Sequence, residues 1–139
     1  MSDAVSIPAS ASSPSGPLHG VRVLDLSRVL AGPWATQTLA DLGAEVIKIE
    51  RPGAGDDTRG FAPPFMPGTR ESAYFVGVNR NKRSIALDLK RPEAVEVVKQ
   101  LVSEYDIVLE QFRPGVMDKL GVGYEALKAI NPQLIYVSI

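Results

Sequence analysis

Apolar and polar positions along this chain switch between two periods, and the switches fall at glycine and proline. Val21 to Leu26 is a short apolar, β-branched run, and Val46 to Ile49 is a second. Both predict strands. Between them Gly32-Pro33 breaks the chain and opens a helix, because proline suits the first helical position, where its missing N–H is not needed. Trp34, Leu39 and Leu42 supply that helix with an apolar stripe, and Gly43 ends it. A strand, a crossover helix and a second strand make a βαβ unit, which implies a parallel sheet.

Arg51 to Arg83 is a long connection in which RPGAGDDTRGFAPPFMPG shows no period of either kind. Connections of that length in a compact domain are usually functional or disordered. Within it, Glu71 to Val78 predicts a short helix with Tyr74 and Phe75 packed inward. Ile85, Leu87 and Leu89 alternate with Ala86 and Asp88, as in a strand with one buried face. Pro92 restarts a helix, with Glu93 and Glu96 in its first turns, where acids suit the helix dipole. Val95, Val98, Leu101 and Val102 form its core stripe. Ile107 to Leu109 reads as a strand, and Pro114-Gly115 opens a short helix that ends near Gly121. Tyr124 to Ile130 is another helix, stopped by Asn131-Pro132, and Leu134 to Ile139 is a final strand. The fold class expected is α/β, a Rossmann-like open parallel sheet with flanking helices. A terminal strand of this kind needs neighbours and cover on both faces, so the chain is expected to be the incomplete N-terminal part of a larger domain.

Composition narrows the function classes. At 139 residues the chain is one domain's worth, enough to bury roughly two-thirds of its unfolded surface. It has no cysteine, which excludes disulfides, thiol nucleophiles and thiolate metal sites, and which fits a reducing, cytoplasmic setting. One histidine, His19, cannot build a histidine cluster and is expected to be solvated. No apolar run approaches the roughly 20 residues that span a bilayer. Met1 to Pro17, rich in Ser, Ala and Pro, lacks the features of a targeting peptide and is expected to be a disordered tail.

The net charge is −1, but Arg51 to Arg91 holds eight basic residues against four acidic ones. Such a local excess fits either a compact polyanion or a solvated loop with scattered charges. It does not fit a long nucleic acid.

In an open parallel sheet, ligands bind at the carboxyl ends of the strands, near a reversal of strand order. Ser27 to Pro33, Glu50 to Thr58 and Glu110 to Gly115 are the loops expected there. The first has no GxGxxG fingerprint, so nothing supports a nicotinamide or flavin. Its Ala31-Gly32-Pro33 is either a plain βα turn or a place where small residues admit a ligand close to a helix N-terminus. Asp25, late in an apolar strand, is either a shifted-pKa base or, the reading preferred, a cap for N–H groups of the following loop. Asp56-Asp57 reads as a pair of turn formers rather than a metal pair.

The runs LSRVLAGP, LADLGAEVIKIERPGAGDDTR and NRNKRSIALDLK, in this order and spacing, resemble the N-terminal part of the class III coenzyme A transferases, a family that includes formyl-CoA and carnitine-CoA transferases and α-methylacyl-CoA racemases. The resemblance runs from about Gly16 to Ile139 and implies a CoA-binding region over residues 18–139. It implies that Leu30 and Ala31 lie against CoA and that Arg51 meets its nucleotide end. By the same resemblance Leu87, Asp88, Leu89 and Lys90 line the adenine site, Gln111, Phe112 and Arg113 follow the pantetheine arm, and Lys119 reaches phosphate. CoA is implied as a substrate rather than a tightly bound cofactor. Acyl-CoA and a carboxylic acid are the implied partners, with neither nucleic acid nor membrane, and an intertwined homodimer is the implied assembly. The family nucleophile is an aspartate that forms a mixed anhydride with the acyl group. Its expected place lies beyond Ile139, so no catalytic residue is assigned.

This sequence departs from the pattern at Leu30, where formyl-CoA transferases carry glutamine, which argues against formate and oxalate. Gln111 stands for a common asparagine and Lys119 for a common arginine, both keeping their chemical character. A racemase of 2-methylacyl-CoA esters and a non-catalytic CoA- or nucleotide-binding module are the competing readings. The length of GDDTRGFAPPFMPGTRESAYFVGVNRNKRS favours a transferase, because the racemases shorten this region.

Overall fold

The computed structural model describes residues 16–139, so the expectation for Met1 to Ser15 falls outside the described residues. Five strands form one parallel sheet: β1 (Arg22–Leu26), β2 (Glu45–Glu50), β3 (Lys82–Ala86), β4 (Ile107–Glu110) and β5 (Ile135–Ser138). Their order is β3-β2-β1-β4-β5, and every pairing is parallel. Val23 of the central strand sits opposite Val46 on one side and Ile107 on the other.

The helices that make the crossovers cover the two faces unequally. α1 (Ala31–Asp41) joins β1 to β2 and packs beside α2 (Ala73–Asn79), which precedes β3. Ala40 of α1 and Ala44 beyond it meet Val23 and Val46 in a small core. On the opposite face α3 (Pro92–Val102), the short α4 (Val116–Lys119) and α5 (Tyr124–Ile130) build the larger core. There Leu24, Val98, Val102, Val108 and Leu127 are fully buried, each worth about 1.5–3 kcal/mol relative to exposure.

Punctuation in the sequence sets the element ends. The N–H of Gly43 (φ +101°) bonds the carbonyl of Ala40, and the N–H of Ala44 bonds that of Leu39, closing α1 with a glycine-led C-terminal motif. Pro92 is the first residue of α3. Pro33 is instead the third residue of α1, still within the first turn, whose N–H groups have no intrahelical partner.

Four expectations need correction. The buried face of α1 is Gly32, Pro33, Thr36, Gln37 and Ala40, whereas Trp34 is 59% exposed and Leu42 is exposed too. The sheet beneath this helix presents a buried carboxylate, so polar residues take the inward face. Tyr74 of α2 points outward, its ring edge against Phe61, and Phe75 is only half-buried, under the Arg59 guanidinium at 3.7 Å. β3 starts at Lys82 and ends before Leu87 and Leu89, because its polar first half is held by partners on neighbouring elements. The last strand is Ile135–Ser138, with Ile135 57% and Ile139 52% exposed. Among the described residues no helix is long and apolar enough to cross a membrane.

Candidate functional site

The strand order reverses at β1, whose two neighbours are β2 and β4. A cleft opens at the carboxyl ends of the strands at such a point. Here it is a cavity of about 270 Å³. Leu26, Ile49, Leu87, Leu89, Phe112 and Leu120 give it apolar walls, and Arg28, Arg51, Asp88 and Lys90 bring charge to it.

Beneath the loops lies a buried ionic layer. The Lys48 side chain is 1% exposed, and its Nζ donates to Asp56 at 2.9 Å and to the Ser27 carbonyl at 2.8 Å. Asp56 also accepts from the N–H groups of Thr58 (3.0 Å) and Val29 (3.2 Å), so it ties the loop after β1 to the loop after β2. Asp25 accepts from the Ser27 N–H at 2.9 Å and from the Ser27 hydroxyl, which is the capping role. Its second oxygen takes the Thr36 hydroxyl at 2.6 Å and Lys82 Nζ at 2.9 Å. Burial pushes the Asp25 carboxyl up, but the Lys82 and Lys48 charges and the two hydroxyls outweigh burial and hold it below its usual range. Burial pushes the Lys82 ammonium down to about 8, against the pull of Asp25. A carboxylate so fully engaged is a structural group, not a free base.

Glu50, at the end of β2, closes the layer. It accepts from Arg59 through both oxygens (2.8 and 2.7 Å), from the Ser84 hydroxyl and from the Asp56 N–H at 2.8 Å. Burial pushes this carboxyl up, yet the Arg59 and Ser84 hydrogen bonds, the Asp56 N–H and the Arg59 charge bring it to about 2, from an ordinary 4.5. The folded state therefore binds fewer protons than the unfolded chain, and the stability from Glu50 is complete above 4.5 and lost as pH falls toward 2. Urea midpoints measured across that window should fall with pH, and Glu50→Gln should flatten the fall. An equally steep fall in the variant would assign the acid sensitivity elsewhere.

The structure brings Arg51, Leu87, Asp88, Leu89, Lys90 and Phe112 around the one cavity. Lys119 lines an adjoining groove that shares Leu89, Lys90 and Leu120 with it. Leu30 and Ala31, both exposed, stand at the start of α1 outside both. Gln111 and Arg113 also lie outside both. Gln111 is half-buried and its Oε1 has no hydrogen-bond partner, and Arg113 is exposed. Sequence reasoning missed Arg28, Lys48 and Glu50 as site groups. A lysine and a glutamate inside the apolar run of β2 were the available signal for two of them.

The charge excess between Arg51 and Arg91 is largely internal. Arg51, Arg59, Arg80, Lys82, Arg83 and Arg91 each meet a carboxylate within 4.0 Å, four of them on residues that precede the segment. Among the described residues Lys90, Arg113 and Lys119 take part in no ion pair, and all three stand at the carboxyl end of the sheet.

The family model described as CoA-transferase family III matches residues 18–139. The succinyl-CoA:glutarate CoA-transferase of Mus musculus is 57% identical over 123 residues, covering 88% of this chain and 28% of the relative. The formyl-CoA:oxalate CoA-transferase of a Bradyrhizobium strain is 49% identical over 122 residues, with the same two coverages. The crystal structure of a CAIB/BAIF family protein from Brucella suis is similar at TM-score 0.84 and 56% identity, over 88% of this chain and 33% of that one. The chain thus spans about a third or less of the length of the relatives it matches.

Proposed function

This chain belongs to CoA-transferase family III, and from that membership we propose that the protein moves CoA from an acyl-CoA thioester to a free carboxylic acid. The observation that carries the reading is the cavity itself. An apolar chamber with Arg51 and Lys90 at its edge and Lys119 beside it suits a ligand that joins an apolar arm to a phosphate-bearing nucleotide. Guanidinium groups match phosphate geometry through paired donors, and ammonium groups add charge. The residues of this chain bind and orient the thioester. The acyl group is carried, in this reading, on an aspartate as a mixed anhydride, which splits the transfer into covalent half-reactions. No residue described here is given that role. A cytoplasmic, intertwined homodimer is the assembly proposed with it, as the family resemblance implies, and the absence of cysteine fits the cytoplasmic part of that reading.

A dicarboxylate longer than oxalate, of the length of glutarate, is the acceptor class we favour. The relative named for succinyl-CoA and glutarate is 57% identical, and Leu30 replaces the glutamine expected for formate and oxalate chemistry. Succinyl-CoA with glutarate should turn over in the complete protein, and oxalate should be a poor acceptor. The reverse ranking would defeat the assignment. Exchange of deuterium at C2 of a methylacyl-CoA without any acceptor acid would replace transfer by racemisation.

Arg51→Ala in the complete protein should weaken CoA binding by about 1–3 kcal/mol, the loss expected when one hydrogen bond to a charged partner is removed. Calorimetric titration measures it directly. An unchanged dissociation constant would remove Arg51 from the site.

A further inference from the structure

Arg28 and Arg51 come from different loops, after β1 and β2, yet both line the cavity. One carboxylate joins them. Asp57 Oδ2 accepts from Arg28 Nη1 at 3.2 Å, and Asp57 Oδ1 accepts from Arg51 Nη2. Arg51 is fixed a second time, by its Nε to the Gly55 carbonyl at 3.0 Å. Gly55 takes a positive φ of +65°, which gives the loop the turn that presents this carbonyl. All three side chains are partly exposed, at 37–50%. Ion pairs of that kind contribute little to stability, so folding energy alone does not account for the arrangement.

Each guanidinium has five donors, and Asp57 and Gly55 occupy only a few of them. The remaining donors belong to two planar forks held side by side at one cavity, with net charge +1 for the triad. We propose that Asp57 is a positioning residue that sets Arg28 and Arg51 as a paired receptor for the phosphate groups of the ligand, and that Arg28 is itself a ligand-contacting residue. This rests on the reading of the ligand as CoA. It adds to it a second arginine and the carboxylate that orders both.

The alternative physical role for Asp57 has the opposite sign. A carboxylate that only neutralised the arginines would compete with the ligand phosphates, and its removal would tighten binding. The two roles therefore separate in a titration of the complete protein with CoA. Asp57→Asn keeps the side-chain shape, and it should weaken CoA binding about tenfold, as should Arg28→Ala. In the Arg28→Ala/Arg51→Ala background, Asp57→Asn should have no further effect, because the groups it acts through are gone. Unchanged or tighter binding by Asp57→Asn, or a loss of equal size in the background lacking both arginines, would overturn the proposal. If the unsubstituted protein fails to bind CoA, the functional reading falls and this inference with it. If that protein binds and only the variants behave otherwise, the functional reading stands and the inference alone is lost.

Discussion

Lys48→Met should lower the stability of the protein by about 3–5 kcal/mol, the cost of leaving one member of a buried ion pair without its partner. Lys48 and Asp56 are 1% and 0% exposed at the side chain, and the same ammonium satisfies the Ser27 carbonyl. Its charge also acts on Asp25, which would then keep Lys82 as its one cationic partner beside the Ser27 and Thr36 hydroxyls. Methionine conserves the volume of the stem, so the loss reports on charge and hydrogen bonding rather than on a cavity. Urea unfolding should show a lower midpoint with an unchanged slope. Adding Asp56→Asn should recover part of the loss, because a neutral amide is cheaper to bury than an unpaired carboxylate. A single-variant effect below about 1 kcal/mol would mean that the pair is solvated and behaves as a surface ion pair.

Gly32→Ala should destabilise by about 2–3 kcal/mol, even though alanine is ordinarily worth about 1 kcal/mol more than glycine inside a helix. A Cβ at this position would overlap Cβ and Oγ of Ser27 and come within 3.0 Å of Leu109 Cδ2. Ser27 cannot step aside cheaply, since its N–H and hydroxyl are both held by Asp25. Forced overpacking of this kind costs about 1–3 kcal/mol, occasionally more. The experiment also decides between two accounts of the small residues in the Ala31-Gly32-Pro33 turn. If they are small so that α1 can dock on β1 and β4, stability falls and CoA affinity changes little. If they are small so that a ligand can approach, stability holds and affinity falls. The overlaps with Ser27 and Leu109 favour the first account for Gly32.

Legibility in the sequence followed the strength of local punctuation. The β1–α1–β2 unit was readable because Gly43 closes its helix and apolar runs flank it, and α5 was readable to the residue between Tyr124 and Ile130. The inward face of α1 was not readable, because Thr36 and Gln37 are buried on the side of an ionic layer whose members come from three strands and the loop after β2. A hydrophobic period cannot report a face that is polar inside. The start of β3 was hidden for a related reason. Lys82 and Arg83 look like loop residues until their partners, Asp25 and Glu45, arrive from strands some 40–60 positions earlier. The candidate site divides the same way. Leu87 to Lys90 were named through family resemblance and do border the cavity, whereas Arg28 carries no pattern of its own and becomes visible only beside Asp57.

A sheet in which every neighbour is parallel contains no hairpin, and this governs how such a chain is made. No strand pair can form by closing a tight turn, so each contact must first close a crossover, and long-range parallel pairing is slow for that reason. β1 meets β2 early, but its other edge waits for β4, where Val23 pairs with Ile107 and the Arg22 N–H with Asp106, a separation of 84 residues. During synthesis the first strand is therefore flanked on one side only until Glu110 has left the ribosome. Throughout that interval the most buried strand of the finished protein presents an open, apolar edge, the condition under which nascent chains are most exposed to aggregation.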